Sequence, residues 1–516
     1  MRWPIAWKIS SVLTTLGAMI IIAPIAYLLF QGASKIPQAL SSFYSLGGST
    51  LPLLGLSLLF ASLIAYSNVL FLYYSKRPAL HLLVLLLPLS FPTYIMAFNW
   101  AMVWEFLSLI VPVSRSGIKS LLGLSFVLAL CLYPYILLPL YLFAKGKANN
   151  LLLQAKSINL PPKKVLQRVI LPLSFVPLSL GAALLTYELL NDYGAAKFYG
   201  VNTLTTGIFK TWFGKGEKEE AIALSLILLA IVLLVRIIAQ KIQGKKEDDQ
   251  TEKSIRVLPE LNGGIKAVLK AVFYLTLILA LLAPLFGMLY GLWFDWEKQN
   301  FSLLWTSAAH SFWVGLAATG LTLALIMGLL FGKHFLKHPA HNWLNKLLSI
   351  GYSIPGAVIA CGVLGAAWTV IPTLNSWMPS TTQTLYQSIF LLVLGVSLKL
   401  YAVGIPAAEG GWSKLGERQI KAAKVFLPYK KFAVSTRILK PQLLPYYAAA
   451  ALFIFIDAIK ELPLTLILRP FNYDTLATKA YNYVEDEYLY RAAPYSLLIS
   501  LFCALGILLY NRTNKL

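Results

Sequence analysis

Four carboxylates stand in otherwise apolar surroundings: Glu188 and Asp192 in one part of the chain, Asp457 and Glu461 in another. Each pair has i, i+4 spacing, so its two acids share one face of a helix if the helix continues through them. An offset of 269 residues carries Glu188 onto Asp457 and Asp192 onto Glu461. A carboxylate at the centre of a bilayer costs about 2.5–3.5 kcal/mol on insertion scales, so such groups face water or protein. Close like charges raise one another's pKa unless a cation or a base sits among them. Carboxylate oxygens are hard ligands and suit a hard cation. The four acids therefore read as the lining of the outer part of a shared pathway, where they would help accept a cation or contact a protein that delivers it. Two plainer readings stand beside it: helix ends in interfacial water, or ion pairs with Lys197 and Lys460.

Other groups could bind a metal but have simpler explanations. Tyr187, Tyr193 and Tyr199 cluster near the first acidic pair. A phenolate can ligate a hard cation, yet tyrosine is also enriched at membrane interfaces, and an interfacial belt is the plainer reading. His334, His338 and His341 have near-ligand spacing, but Pro339 interrupts the helix between them in a loop that is already basic. Cys131, Cys361 and Cys503 are far apart in apolar runs, which excludes a disulfide scaffold and a cysteine-based zinc site.

The elements that must hold these acids follow from composition. Of 516 residues, 58% are hydrophobic and 13% charged, and the mean hydropathy is +0.69. That is too apolar for a soluble domain and the opposite of what disorder requires. About twelve windows are apolar enough to cross a bilayer, near 9–30, 51–74, 80–101, 120–143, 173–191, 220–240, 266–293, 308–331, 347–371, 384–406, 445–468 and 494–511. The first follows Arg2 and Lys8, lacks a small-residue cleavage site and reads as a retained span. The net charge of +23 would suggest nucleic acid in a soluble protein. Here the basic residues fall on alternate loops, from Lys76 and Arg77 through Lys145 to Arg168, Lys241 to Lys266, Lys333 to Lys346 and Lys414 to Lys440 to Arg512 and Lys515. The positive-inside rule puts those loops and both termini in the cytoplasm, and no nucleic-acid partner is expected.

A polar stretch, 244–264, divides the chain into halves of about six spans each, 1–243 and 265–516. An even number of spans gives both halves the same orientation, as in parallel repeats. Arg168 and Pro172 recur as Arg437 and Pro441 at the same offset as the acids, and Thr203-Leu204-Thr205-Thr206 recurs as Thr475-Leu476-Ala477-Thr478 at 272. Glu188 and Asp457 each lie sixteen residues beyond the repeated proline. At 1.5 Å per residue this is about 24 Å into a hydrocarbon core of about 30 Å, with Asp192 and Glu461 one turn further. Ahead of each proline lies a basic inside loop, 145–172 and 407–441. Each reads as helix, break, helix. Asn159 tolerates the left-handed conformation at the first break, and Leu427 before Pro428 is biased out of the helical region at the second. Two such elbows on one face form a paired docking surface.

These loops resemble the coupling loops of bacterial ABC importer permeases, whose pattern is Glu-Ala-Ala, a glycine four residues on, and a tail of Ile-x-Leu-Pro. The first copy keeps Ala155, Arg168 and Val169-Ile170-Leu171-Pro172, with Asn159 for the glycine. The second keeps Ala422, Ala423, Arg437, Ile438 and Pro441, with Leu427 for the glycine; neither has the Glu. The stretches Lys460 to Tyr481 and Asn191 to Gly207 are similar to the iron(III) ABC permease family, whose usual form fuses two permease halves. The resemblance implies an all-α polytopic membrane protein of about twelve transmembrane helices in two parallel six-helix permease repeats. It further implies a bacterial inner-membrane importer subunit for ferric iron, two copies of a separate ATPase, and an extracytoplasmic iron(III)-binding protein. No Gly-x-x-x-x-Gly-Lys-[Ser/Thr] stretch occurs, so ATP and Mg are expected on the partner ATPase and no cofactor on this chain. No catalytic motif points to an enzyme. Two alternatives remain: a permease for another solute (thiamine, phosphonate, sulfate or a polyamine), and a twelve-helix secondary transporter. The acidic pairs argue against an anion. The loop Ser75 to His81, without acid or glycine, argues against a major facilitator.

Overall fold

Residues 32–112, 114, 117–148, 164, 167–168, 171–243, 263–336, 339–375, 389–414 and 440–514 are described by a computed structural model. They form helices joined by short turns, and no strand occurs among them. In the first half, α1 (Ile36–Tyr74) leads to α2 (Pro78–Leu86) and α3 (Thr93–Ser108). Then come α4 (Leu121–Leu132), α5 (Pro134–Phe143), α6 (Leu171–Asn191), α7 (Gly194–Phe198), α8 (Leu204–Phe209) and α9 (Lys218–Gln243). In the second half, α10 (Gly263–Leu277) and α11 (Ala283–Phe294) precede α12 (Phe301–Phe331), α13 (Pro339–Leu348), α14 (Gly356–Asn375) and α15 (Ile389–Lys414). The chain ends with α16 (Lys440–Lys460), α17 (Pro463–Leu468), α18 (Leu476–Glu485) and α19 (Ala493–Asn514).

Prolines set several of the breaks. Between α2 and α3 the axis bends by 91°. Phe91, ahead of Pro92, takes extended backbone, as a residue before proline prefers, and the helix cannot run through it. Between α4 and α5 the bend is 46°, at the Tyr133–Pro134 step. Proline removes one intrahelical donor there, but Tyr133 stays helical and the axis only kinks.

Eight helices among the described residues are long and apolar enough to span a membrane, and the two bent pairs raise the number to ten. The window 9–30 lies outside the described residues. The window 347–371 corresponds to a shorter apolar helix, Gly356–Trp368 within α14. The window 445–468 is two helices, because the chain breaks between Lys460 and Pro463.

Local devices recur on the two sides of the stretch 244–264. Thr203 caps α8 and Thr475 caps α18, each in a reciprocal capping box with the threonine three residues on. The next backbone amide is held from a long helix in both: Leu204 N donates to Thr50 Oγ1 (3.2 Å), and Leu476 N to Ser311 Oγ (2.7 Å). Within the halves, α1 packs on α4 and α5 on α6, while α12, α15 and α16 pack mutually. The helices α10 and α11, second-half by sequence, pack on α1 and α3. Phe273 stacks on Phe71 at 4.3 Å, Asn68 Nδ2 donates to Thr276 Oγ1 (3.0 Å), and Gly287 lies against the backbone of Asn99.

Candidate functional site

The helices carrying the four acids do not continue through them. In the first half α6 ends at Asn191, Asp192 and Tyr193 form a break, and α7 starts at Gly194. In the second, α16 ends at Lys460, Glu461 and Leu462 form the break, and α17 starts at Pro463. The expectation of one shared helix face per pair is therefore corrected. Glu188 and Asp457 stand on helices, and Asp192 and Glu461 stand in breaks. Pro463 suits the first turn of a new helix, where no donor is required. Gly194 is enforced by packing: a Cβ there would sit 2.7 Å from Tyr94 Cβ and 2.8 Å from Leu462 Cδ2. Each displaced acid bonds the start of the next helix. Asp192 Oδ2 accepts from Ala196 N (2.9 Å), and Glu461 Oε1 from Leu464 N (3.3 Å).

Although the pairs are split, all four acids line one cavity of about 70 Å³. Glu188 Oε1 accepts from the hydroxyl of Tyr135 (3.2 Å) and from that of Tyr352, and the two phenols are 3.0 Å apart. Thr93 Oγ1 donates to Asp192 Oδ1 (2.6 Å). Lys460 Nζ pairs with Asp457 Oδ1 (2.6 Å). Lys399 Nζ pairs with Glu461 Oε2 (2.6 Å) and reaches Asn191 Oδ1 (3.3 Å), which also accepts from Gly356 N (2.7 Å). Tyr352, Lys399 and Gly356 come from the second half and meet Glu188 and Asn191 of the first. The wall is thus stitched across the halves by polar side chains that are themselves satisfied, as burial requires. Four carboxylates face two ammonium groups, so acids outnumber bases and the lining favours a cation.

Of the ion-pair alternatives read from the sequence, the one with Lys460 is present, whereas Lys197 is exposed. Lys399 is a site residue that the sequence reading missed. Its signal was available: it is the sole charged residue in the window 384–406. The tyrosines do not form an exposed belt. Tyr187 and Tyr193 line the cavity, with Tyr193 stacked on Phe209 at 3.7 Å. Tyr199 is buried, its hydroxyl 3.4 Å from the carbonyl of Ala97. His334 stacks flat on Trp412 and His341 is buried, while His338 lies outside the described residues. Among the described residues no group of three His, Cys, Asp or Glu side chains is arranged to hold a metal ion.

Of the elbow residues, Ala155, Asn159, Ala422, Ala423 and Arg437 also lie outside the described residues. Arg168 is exposed. Pro172 and Pro441 stand, exposed, in the first turns of α6 and α16, where a missing donor costs nothing.

No family model matches the chain, and no solved structure matches it. It is similar to the Fe(3+)-transport system permease protein FbpB 2 of Haemophilus influenzae, with 22% identity over 433 residues, which is 83% of this chain and 81% of that protein. The resemblance read from Asn191 to Gly207 and from Lys460 to Tyr481 thus extends along most of the sequence.

Proposed function

We propose that this chain is the membrane-spanning permease subunit of an ATP-driven importer, and that its cargo is ferric iron handed over by an extracytoplasmic binding protein. One observation carries the reading: two carboxylates from each of two matching stretches converge on a single cavity, in a chain similar to an iron(III) permease along most of its length. Carboxylate oxygens suit a hard trivalent cation, and Glu188, Asp192, Asp457 and Glu461 would offer them along the pathway. The chain breaks no bond of its own. The elbows 145–172 and 407–441, through Ala155, Asn159, Arg168, Pro172, Ala422, Ala423, Arg437 and Pro441, would each receive one ATPase copy. ATP and Mg would belong to those partners. Closure of the ATPase pair would rock the two halves, and the polar stitching between them would break and re-form as access alternates. The chain would sit in the bacterial inner membrane with both termini cytoplasmic.

The test is uptake of radiolabelled iron into vesicles holding this chain with its candidate ATPase and binding protein. The expected result is ATP-dependent accumulation that falls at least tenfold when the four acids are neutralised in pairs at normal membrane level. Accumulation driven by a proton gradient without any ATPase, or uptake indifferent to the acids, would overturn the proposal.

A further inference from the structure

Resting on that reading, we infer that Lys399 is a built-in counter-cation: its ammonium group occupies the cavity in place of cargo, clasps the two halves, and must be displaced when a trivalent cation enters. The geometry carries this. Lys399 stands on α15 in the second half and is almost fully buried, 4% exposed. Its Nζ is 2.6 Å from Glu461 Oε2 in the second half and 3.3 Å from Asn191 Oδ1 in the first. Both groups line the cavity that Glu188, Asp192 and Asp457 also line. A buried ammonium is tolerated only when paired, and so is the carboxylate opposite it. The pair therefore does two things. It satisfies Glu461 while the cavity holds no cargo, and it raises the threshold for any cation that would take its place. A monovalent ion brings no more charge than Lys399 already supplies and gains nothing by exchange. A trivalent ion brings three charges to a wall richer in acid than in base, and can outcompete the lysine. Once Lys399 leaves Glu461 its bond to Asn191 loosens too, so occupancy of the cavity and the grip between the halves are coupled through one side chain. Lys460 on Asp457 repeats the arrangement inside the second half, but among the described residues its link to the first half runs through its backbone carbonyl, which accepts from the Tyr94 hydroxyl (3.4 Å), and not through its ammonium group.

Terbium(III) is a hard, oxygen-seeking trivalent probe whose luminescence is sensitised by nearby tyrosines, and Tyr135, Tyr187 and Tyr352 line the cavity. The experiment titrates Tb3+ into the full chain in non-ionic detergent, with the Glu188→Gln, Asp192→Asn, Asp457→Asn, Glu461→Gln quadruple variant as background. Lys399→Met removes the competing charge at similar volume and is expected to bind the probe at least tenfold more tightly than the unaltered chain. Lys399→Arg keeps the charge and is expected to remove most of that gain. Helix content and a monodisperse elution profile establish that each variant is folded. Several results would overturn the inference: Lys399→Met binding no tighter, Lys399→Arg binding as tightly as Lys399→Met, or a luminescence signal equal in the quadruple variant. Iron uptake is read separately. Tighter Tb3+ binding by Lys399→Met without ATP-driven iron uptake by the native complex supports the counter-cation and rejects the iron reading, and the converse rejects the counter-cation alone.

Discussion

Glu461 and Lys399 form an almost fully buried ion pair, with side-chain exposures of 7% and 5%. Removing one partner of such a pair leaves an uncompensated charge and costs about 3–5 kcal/mol, whereas removing both leaves mainly a packing change. Glu461→Leu and Lys399→Met should therefore each lower the unfolding temperature clearly, and the two combined should recover much of the loss. A cycle of thermal unfolding in detergent checks this, and additive single effects would show that the pair is not coupled. The acids themselves were legible because a carboxylate in an apolar run is conspicuous and because the same offset links all four. Their partners were less so. Tyr135 and Tyr352 are two among 27 tyrosines, and only the fold brings their hydroxyls onto Glu188. Lys399 was conspicuous by the same standard as the acids. What no local pattern could supply was that Lys399 on α15 pairs with Glu461 in the break after α16.

At the scale of elements, the same turn is built twice. Thr203 and Thr475 each accept, at Oγ1, from the backbone amide of the threonine three residues on, and each donates its own amide to that threonine's Oγ1. Loss of an N-cap side chain costs about 0.5–2 kcal/mol. Thr203→Ala and Thr475→Ala should each destabilise within that range, and by similar amounts, because the caps sit in equivalent surroundings beside Thr50 and Ser311. Thermal unfolding of the two variants side by side checks it, and a large effect at one site with none at the other would break the equivalence. Sequence reading found these motifs as a repeat but not as caps. It also carried α16 straight through Glu461 in the window 445–468, whereas the window 173–191 stopped just short of Asp192. Hydropathy registers apolar length, and the breaks interrupt that length by only two residues each. Their causes were present in Gly194 and Pro463, yet Gly194 lies just beyond its apolar window and a proline inside one, such as Pro463, reads equally well as a kink. The tertiary neighbours Tyr94 and Leu462 make Gly194 obligatory, and they come from distant parts of the chain.

At the scale of the whole molecule, composition and alternating basic loops were enough for an all-helical membrane protein, but not for where each helix packs. The helices α10 and α11 follow the polar stretch 244–264 and would be assigned by order to the second half. They pack also on α1 and α3 of the first, while α11 keeps a contact with α19 of the second. That contact is an apolar and aromatic seam with one buried side-chain hydrogen bond, Asn68 to Thr276. It is tightest at Gly287, where a Cβ would come within 2.7 Å of the Asn99 carbonyl oxygen. Small residues at such points let backbones approach, which is how helices associate in lipid. The covalent connection through 244–264 should therefore be dispensable for holding the halves together. Expressed as two polypeptides divided after Gln250, the chain should reassemble, and an affinity tag on the first piece should recover the second from mild detergent. Gly287→Leu in the second piece forces the seam apart and should reduce that recovery several-fold while leaving the piece's own membrane level unchanged. Recovery insensitive to Gly287→Leu would place the grip elsewhere, on the polar stitching around Asn191 and Lys399. Lys399→Met in the divided chain then discriminates, because only a grip at that clasp would be lost with it.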